Sequence, residues 1–234
     1  MWWRCSPLWE AADMRYSRNI PALSEAECAA LRNKSVAVIG CGGLGGYLIE
    51  YLVRIGVGSI RCVDGDVFDE TNLNRQILST TALLGKSKSE AAKARVQAIN
   101  PDVQVQAYPV FLDAANAREL IAGCDAVLDA LDNIPARKIL AQACNAENIP
   151  YVYGAIAGWV AQAAVCMPGE DLIQKLYSED AVIKDKSVLS FTPALCASMQ
   201  AALCVKLLAG RKIQTGVLHY VDLLYEEYQQ ININ

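Results

Sequence analysis

Residues 36–46 read VAVIGCGGLGG, a short apolar run followed at once by closely spaced glycines. Gly40, Gly42 and Gly45 form a G-x-G-x-x-G turn at the point where a strand would pass into a helix. Such a turn brings backbone N–H groups at the helix N-terminus close to phosphate, because no side chain blocks the approach. The stretch therefore predicts a nucleotide site that includes all of Gly40, Gly42, Gly43 and Gly45, and it leaves the identity of the nucleotide open.

The segments around this turn alternate between apolar strand-like runs and helical runs as far as residue 157. Alternation at a spacing of about 25–35 residues is typical of the α/β class with a doubly wound, mostly parallel, Rossmann-like sheet. The pattern then changes, and it predicts antiparallel C-terminal strands (159–167, 217–222 and 224–229), a charged mobile loop (168–190) and an apolar helix (194–208).

We expect one domain over residues 1–234. It would comprise an N-terminal helical segment (1–33), a nucleotide-binding core (34–157) and a C-terminal part with the antiparallel strands, the loop and the last helix (158–234).

Composition argues against several function classes. The chain of 234 residues has a net charge of −4 and no run of Lys or Arg, so it lacks the electrostatic footprint of a nucleic-acid binder. Its longest apolar stretches are interrupted by polar residues such as Gln162 and Gln200, and its N-terminus lacks the pattern of a signal peptide. We therefore expect a cytoplasmic protein with no nucleic-acid partner and no membrane partner.

Nine cysteines are scattered along the chain without a C-x-x-C pair, and His219 is the single histidine. Structural zinc sites have characteristic ligand spacings, so no structural zinc is expected. Most of the cysteines lie in apolar segments, which indicates small core residues in a reducing compartment.

A carboxylate at the end of the second predicted strand is a candidate ribose ligand. Asp64 follows Gly40 by 24 residues, the position from which an acidic residue accepts hydrogen bonds from ribose hydroxyls in dinucleotide folds. ATP ribose would be held by the same geometry. The alternative is a strand-end carboxylate that caps a loop. Asp66 follows in the same polar segment and is a further candidate.

A polar set further along this segment points to a triphosphate. Asn72, Arg75 and Gln76 stand at i, i+3 and i+4, so one helical turn would direct all three to one side. Arginine offers paired donors to phosphate oxygens. A solvated polar loop is the alternative.

Lys88 stands near the start of a helix opened by Ser87. A cation at a helix N-terminus is unfavourable against the helix dipole, and a phosphate or a carboxylate partner would offset that cost. Lys86 is the competing candidate.

Asp132 and Asn133 follow the buried strand predicted at 126–129. Ligands in open α/β sheets lie beyond the carboxyl ends of the strands, so Asp132 is placed to hold Mg²⁺ against phosphate oxygens. Asp129 competes for this role, although strand alternation places it within the strand.

In chain order these motifs are RYSRNI (15–20), GCGGLGG (40–46), DGD (64–66), NLNRQ (72–76), GKSK (85–88) and DNIPAR (132–137). Together they resemble the ThiF/MoeB/HesA family, whose members are related to the adenylation domain of ubiquitin-activating enzymes. The resemblance runs from about residue 14 to residue 226.

The resemblance implies an adenylyltransferase that uses ATP and Mg²⁺. Its partner would be a small ubiquitin-like sulfur-carrier protein whose C-terminal Gly-Gly carboxylate becomes an acyl-adenylate, with release of pyrophosphate. Matched by motif, Gly40 and Gly42 approach the nucleotide and Asp64 holds the ribose. Asn72, Arg75 and Lys88 would contact the phosphates, and Asp132 would coordinate Mg²⁺. Arg18 matches an arginine that crosses a homodimer to the partner's ATP.

The departures from the family pattern are informative. Residues 167–171 read MPGED where a relative would place its first C-x-x-C pair, and residues 173–193 contain no cysteine. Residue 19 is Asn where the family has Gln. These differences predict a compact, zinc-free enzyme that adenylates only, with the sulfur or amine delivered by something else.

Three other functions stay open at this point. An NAD-dependent oxidoreductase explains the glycine turn and Asp64 but leaves Arg75, Lys88 and Asp132 without a role. A non-catalytic scaffold of the same fold would bind a carrier protein only. An adenylating enzyme could also act on a small molecule, a peptide or a tRNA base.

Overall fold

The computed structural model describes residues 14–178, 181 and 187–233. Its strands are β1 (Ser35–Ile39), β2 (Ser59–Val63), β3 (Gln104–Tyr108), β4 (Ala126–Asp129), β5 (Tyr151–Ala157), β6 (Val160–Cys166), β7 (Val217–Asp222) and β8 (Glu227–Asn232). Its α-helices are α1 (Glu25–Arg32), α2 (Gly43–Ile55), α3 (Lys88–Ile99), α4 (Ala117–Ile121), α5 (Ile134–Ala146), α6 (Leu172–Leu176) and α7 (Phe191–Leu208). Short 3-10 turns occupy Ser17–Asn19, Glu70–Asn72 and Thr81–Leu83.

All eight strands form one sheet in the order β3-β2-β1-β4-β5-β6-β7-β8. The strands from β3 to β5 pair in parallel, and those from β5 to β8 pair antiparallel. Val38, in the middle of β1, aligns with Cys62 on one side and Leu128 on the other. The predicted fold class is therefore confirmed, including the antiparallel C-terminal strands.

Helices cover both faces of the sheet and divide the core in two. One core joins β1 and β2 to α1, α2, α3 and α7 through residues such as Leu48 and Cys196. The other joins β4 and β5 to α4, α5 and α6 through residues such as Leu140 and Tyr151. Because the parallel strands are buried on both faces, β1 and β4 read as almost continuous apolar runs.

Helix α7 is long and apolar enough, by length and composition, to cross a membrane. It packs instead against α2, β5 and β6, and it buries Cys196, Gln200 and Cys204 among other side chains. The Nε2 atom of Gln200 donates to the backbone oxygens of Asp129 and Val152. Its position makes α7 a core helix of this domain.

Capping residues set the starts of two helices, and that of Ser87 is the one the sequence predicts. Ser24 and Glu27 form a complete capping box before α1, and Ser87 caps α3. Helix α7 begins one turn earlier than predicted, at Phe191. The segment 168–190 was expected to be a mobile loop, yet its described part contains α6, because Leu172 and Ile173 bury against the second core.

The closing hairpin also differs from the prediction. Its second strand was expected over 224–229 and lies at Glu227–Asn232, because residues 223–226 make the turn. Asp222 Oδ1 accepts the N–H of Leu224, and Glu226 adopts a φ of 56°. The first 13 residues of the predicted N-terminal segment fall outside the described residues.

Every cysteine in the described ranges is a free, buried thiol. These are Cys28, Cys41, Cys62, Cys124, Cys144, Cys166, Cys196 and Cys204. Burial raises the pKa of Cys196 and that of Cys204 to about 12, which keeps both thiols protonated and unreactive at neutral pH. The interpretation of these eight as core residues is confirmed.

Candidate functional site

A cavity of about 670 Å³ opens along the carboxyl ends of the parallel strands. Its lining follows the sheet order, from residues 110–112 after β3, past the ends of β2, β1, β4 and β5, to Val160 and Gln162 in β6. Strands lie about 4.8 Å apart, so the cavity is a trough that crosses about six strands. This is the place where open α/β sheets bind ligands.

The glycine turn forms one wall of this trough. Gly40 adopts a φ of +100°, and a Cβ there would lie 2.6 Å from the backbone oxygen of Ala130. A Cβ on Gly45 would overlap the backbone oxygen of Gly40, so this glycine lets α2 pack against the end of β1. Gly42 and Gly43 line the cavity, and the nearest atoms to a Cβ on either would be 3.5 Å away. Gly45 does not line it.

Asp64 is held rigidly at the end of β2. Its Oδ2 atom accepts the backbone N–H of Cys41 at 2.7 Å, and its Oδ1 accepts that of Asp66 at 2.8 Å. The half-buried carboxylate lines the trough beside the glycine turn. Each oxygen keeps a further lone pair for a hydroxyl donor.

Lys88 is buried and lies 2.6 Å from Asp66 Oδ2. Both residues line the cavity. The hydrogen bond from Lys88 lowers the pKa of the Asp66 carboxyl. Asp66 is thus the carboxylate that offsets the unfavourable position of Lys88 at the helix N-terminus. The candidate residues Asp66 and Lys88 form one ion pair.

Of the set at 72, 75 and 76, only Arg75 and Gln76 line the cavity. The predicted turn exists, since the N–H of Gln76 donates to the backbone oxygen of Asn72. The buried side chain of Asn72 turns back, however, and its Oδ1 accepts the N–H of Asp69 in a capping box. Its position offers no support for the expected phosphate contact.

Arg75 keeps its positive charge available to a ligand. Its NH1 atom donates to the backbone oxygen of Thr71 and to Asn74 Oδ1, and no carboxylate pairs with it among the described residues. Gln76 is buried, and its Oε1 has no hydrogen-bond partner among the described residues.

The two aspartates that follow β4 have separate roles. Asp129 is fully buried and accepts from Arg137 NH1, the Tyr151 hydroxyl and the N–H of Leu131. Asp132 is exposed and lines the cavity, with an oxygen 3.3 Å from Asn133 Nδ2. Of the two, Asp132 is the carboxylate free to take a ligand. Asn133 also lines the cavity, and its Oδ1 caps α5 through the N–H of Ala136.

Arg137 is a cavity residue that the sequence motifs did not single out. This arginine is 3% exposed and lines the trough, and its guanidinium carbon lies over the Tyr153 ring, 5.1 Å from the ring centre. The signal was present, because Arg137 stands on the apolar stripe of α5 with Ile134 and Leu140. Gln162 and Tyr177, which line the same end of the cavity, gave no comparable signal.

The residues present fit a nucleotide. Gly42 and Gly43 present backbone without side chains to the cavity, and Gln76, whose Oε1 has no hydrogen-bond partner among the described residues, also lines it. Cationic Arg75 and Lys88 stand at the same end as Asp64. The Arg75 and Lys88 cations would bind triphosphate oxygens, and the Asp64 carboxylate would accept the ribose hydroxyls.

Arg18 does not line the cavity. It is exposed in the 3-10 turn Ser17–Asn19, and the adjoining residues Arg15 and Tyr16 bond to Ile99 and Asn100 at the C-terminal end of α3. The cavity lies at the opposite, N-terminal ends of α2 and α3. With a rise of 1.5 Å per residue, the 13-residue α2 separates Arg18 from its own site by about 20 Å.

Within residues 14–178, 181 and 187–233, no three His, Cys, Asp or Glu side chains are grouped so as to hold a metal ion. Mg²⁺ at a nucleotide usually binds one or two carboxylates together with phosphate oxygens, so the single carboxylate of Asp132 would be enough. The absence of structural zinc stays a prediction.

The ThiF family model matches residues 16–234. The SAMP-activating enzyme E1 of Haloferax volcanii is 35% identical over 224 residues, which are 91% of this chain and 83% of that protein. The sulfur carrier protein adenylyltransferase of Thermus thermophilus is 36% identical over 234 residues, covering 94% of this chain and 86% of the relative. The enzyme class expected from the sequence, a nucleotidyltransferase, is confirmed by these relatives.

Solved structures agree on the fold. The ATP complex of E. coli MccB superposes with a TM-score of 0.82 at 21% identity, over 94% of this chain and 71% of that one. PaaA superposes with a TM-score of 0.80 at 21% identity, over 98% and 76% of the two chains. Family model, relatives and architecture agree with the motifs in the sequence, and the chain belongs to the ThiF family.

Proposed function

We propose that this protein uses Mg·ATP to adenylate the C-terminal carboxylate of a small ubiquitin-like sulfur-carrier protein ending in Gly-Gly. The observation that carries the proposal is the continuity of the trough. One end has the glycine turn, Asp64, Arg75 and Lys88, and the other end includes the small side chains of Ala155 and Ala157 among larger ones. A nucleotide bound at the first end and a Gly-Gly tail bound at the second would meet at the carboxyl end of β4, where residues 130–132 line the cavity.

The names of the two curated relatives support the choice of a carrier over a small molecule. One is called a sulfur carrier protein adenylyltransferase and the other a SAMP-activating enzyme. Both cover the chain almost from end to end. The buried free thiols support the proposed cytoplasmic, reducing location.

Each residue at the nucleotide end has a task. Asp64 would accept the ribose hydroxyls, with its rotamer already fixed by Cys41 and Asp66. Arg75 and Lys88 would neutralise phosphate oxygens, which lowers the repulsion met by the attacking carboxylate. Asp132 would hold Mg²⁺, whose chemistry is charge neutralisation at the phosphates.

Charge balance distinguishes the two basic residues. Lys88 is already compensated by Asp66, whereas Arg75 has no carboxylate partner among the described residues. We infer that Arg75 contributes the larger share of new charge stabilisation, and that Asp66 keeps Lys88 ordered.

ATP–pyrophosphate exchange in the presence of carrier tests the proposal, with Asp132→Ala as the key variant. Loss of Asp132 should abolish exchange, because the metal would lose its protein carboxylate. Asp102→Ala removes an exposed carboxylate outside the cavity and should exchange like wild type. Near-normal exchange in Asp132→Ala would sink the Mg²⁺ assignment, and no exchange in the wild type would identify a scaffold.

A further inference from the structure

We propose that the buried ion pair of Asp129 and Arg137 positions the exposed Asp132 carboxylate in the trough, and so sets the affinity for a divalent cation that neither member of the pair touches. The inference rests on the proposed function, which assigns Mg²⁺ to Asp132. We call the ion pair the clamp. Its carboxylate stands at the end of β4, and its guanidinium is carried by the first turn of α5.

The clamp holds the residue immediately before Asp132 from both sides. The N–H of Leu131 donates to Asp129 Oδ1 at 2.8 Å, and the backbone oxygen of Leu131 accepts from Arg137 NH2. Arg137 NH1 donates in turn to Asp129 Oδ2 at 3.0 Å, so the two groups that hold Leu131 are themselves joined. Both backbone polar groups of Leu131 are therefore fixed by one ion pair.

Neighbouring elements fix the clamp. Arg137 NH1 also donates to the backbone oxygen of Gly154 in β5 at 2.7 Å, and the Tyr151 hydroxyl in the same strand donates to Asp129. The backbone oxygen of Asp129 accepts from Gln200 Nε2 in α7 at 2.9 Å. The position of residue 131 is thus tied to β5 and α7, which are parts of the rigid core.

Asp132 depends on this backbone for its direction. Its carboxylate is exposed, and its hydrogen bond with Asn133 Nδ2 is long, at 3.3 Å. On the other side, Asn133 Oδ1 accepts the N–H of Ala136 at 2.9 Å and caps α5. The chain is therefore held before and after Asp132, while the carboxylate itself stays open to the cavity.

Arg137 is a positioning residue and not a ligand-binding one. It lines the cavity, but it is 3% exposed, and its NH1 and NH2 atoms donate to protein oxygens. Its Nε is buried without a partner among the described residues. A buried ion pair adds little stability, because desolvation offsets the attraction between the charges. Groups that orient a metal ligand, by contrast, typically change metal affinity by about 10–100-fold.

The test removes both charges together. Asp129→Leu/Arg137→Met should keep the urea midpoint near that of the wild type, because no unpaired charge is left buried. Electron paramagnetic resonance measures the Kd of Mn²⁺ in the complex with a non-hydrolysable ATP analogue, and we expect this Kd to rise about tenfold. Lys34→Met/Asp125→Leu is the matched control. It removes an ion pair just before the start of β4 and should leave the Kd of Mn²⁺ unchanged.

Asp132→Ala identifies the route of the effect. In the wild-type background it should raise the Kd of Mn²⁺, whereas in the double clamp variant it should add no more than about a factor of two, because that carboxylate is already misplaced. An unchanged Kd in the double variant overturns the clamp, and so do two effects that multiply fully.

Arg137→Lys keeps the proposal testable if the double variant does not fold. Lysine keeps a positive charge beside Asp129, but one ammonium cannot replace the planar fork that reaches three oxygens. The Kd of Mn²⁺ should therefore rise in this variant too, and an unchanged value overturns the clamp.

Metal binding and chemistry are measured separately. Mn²⁺ binding that depends on the clamp, without ATP–pyrophosphate exchange by the wild type, supports the clamp and refutes the proposed activity. Exchange by the wild type, combined with equal Mn²⁺ affinity in the clamp variants, supports the activity and refutes the clamp.

Discussion

Single glycines decide whether the wall of the trough formed by the glycine turn can form. Gly40 has a left-handed φ and lies against the Ala130 backbone, while Gly45 lies against Gly40 itself. Gly85 offers a comparison, since its φ is +74° but a Cβ there would meet nothing within 4 Å. A side chain at Gly85 would therefore meet only backbone strain, whereas a side chain at Gly45 would meet steric overlap.

We expect Gly45→Ala to destabilise the protein by about 1–3 kcal/mol and to weaken ATP binding, because the new Cβ displaces the Gly40 backbone. Alanine is intrinsically the better residue in a helix by about 1 kcal/mol, so any loss reports the overlap. Gly85→Ala should cost about 1 kcal/mol through φ alone and leave ATP affinity unchanged. Urea unfolding and ATP titration measure both, and equal ATP affinity in the two variants would contradict the assignment.

At the scale of elements, a buried polar cluster ties β4, α5 and β5 together behind the trough. Arg137 reaches from α5 to Asp129 in β4 and to the backbone oxygen of Gly154 in β5. Tyr151 in β5 donates to the same carboxylate. Burial disfavours the Arg137 charge, but the Asp129 carboxylate outweighs it and keeps the pKa of Arg137 high. The pair fixes α5 against β4 and β5, because removal of either partner would leave the other charge buried and unpaired.

Asp129→Asn should therefore destabilise the fold by about 3–5 kcal/mol, because it leaves the Arg137 charge buried without a counter-ion. Asp125→Asn is the matched control just before the start of β4. That carboxylate is one-third exposed where it pairs with Lys34, and its loss should cost only about 1 kcal/mol. Chemical denaturation measures both, and similar losses would show that burial does not set the cost.

At the scale of the molecule, the position of Arg18 requires a second subunit if the residue serves catalysis. The 3-10 turn that carries it packs at the C-terminal ends of the helices whose N-terminal ends face the trough. One chain cannot bring the two together without unpacking Tyr16, which is buried and accepts a hydrogen bond from Asn100. Donation of Arg18 across a homodimer therefore stays a prediction, and within one chain the residue is too far from the trough to serve it.

A heterodimer of one Arg18→Ala subunit and one Asp132→Ala subunit tests this arrangement. Trans donation leaves one complete site, so the tagged and purified heterodimer should have about half the wild-type exchange activity. Each variant homodimer should be at least about 100-fold impaired. Donation in cis predicts an inactive heterodimer, and a fully active monomer would refute the role of Arg18.

Local sequence determined much of this architecture. The order and type of the main strands and helices, and the glycine turn between β1 and α2, depend on periodicity and capping within short contiguous segments. The choice of Asp132 over Asp129 followed from strand alternation, and the burial of Asp129 in the structure agrees with it. The predicted bounds of the C-terminal strands and of the last helix lie within three residues of the observed ones for the same reason.

Tertiary structure decided what depends on distant segments becoming neighbours. A capping box turned Asn72 away from the trough, and Asp66 proved to be the partner of Lys88. Arg137 reached the cavity only because α5 packs on the face of the sheet over the adjacent strands β4 and β5. Periodicity reports which face of an element is buried, whereas the strand order of the sheet sets which residues meet across it.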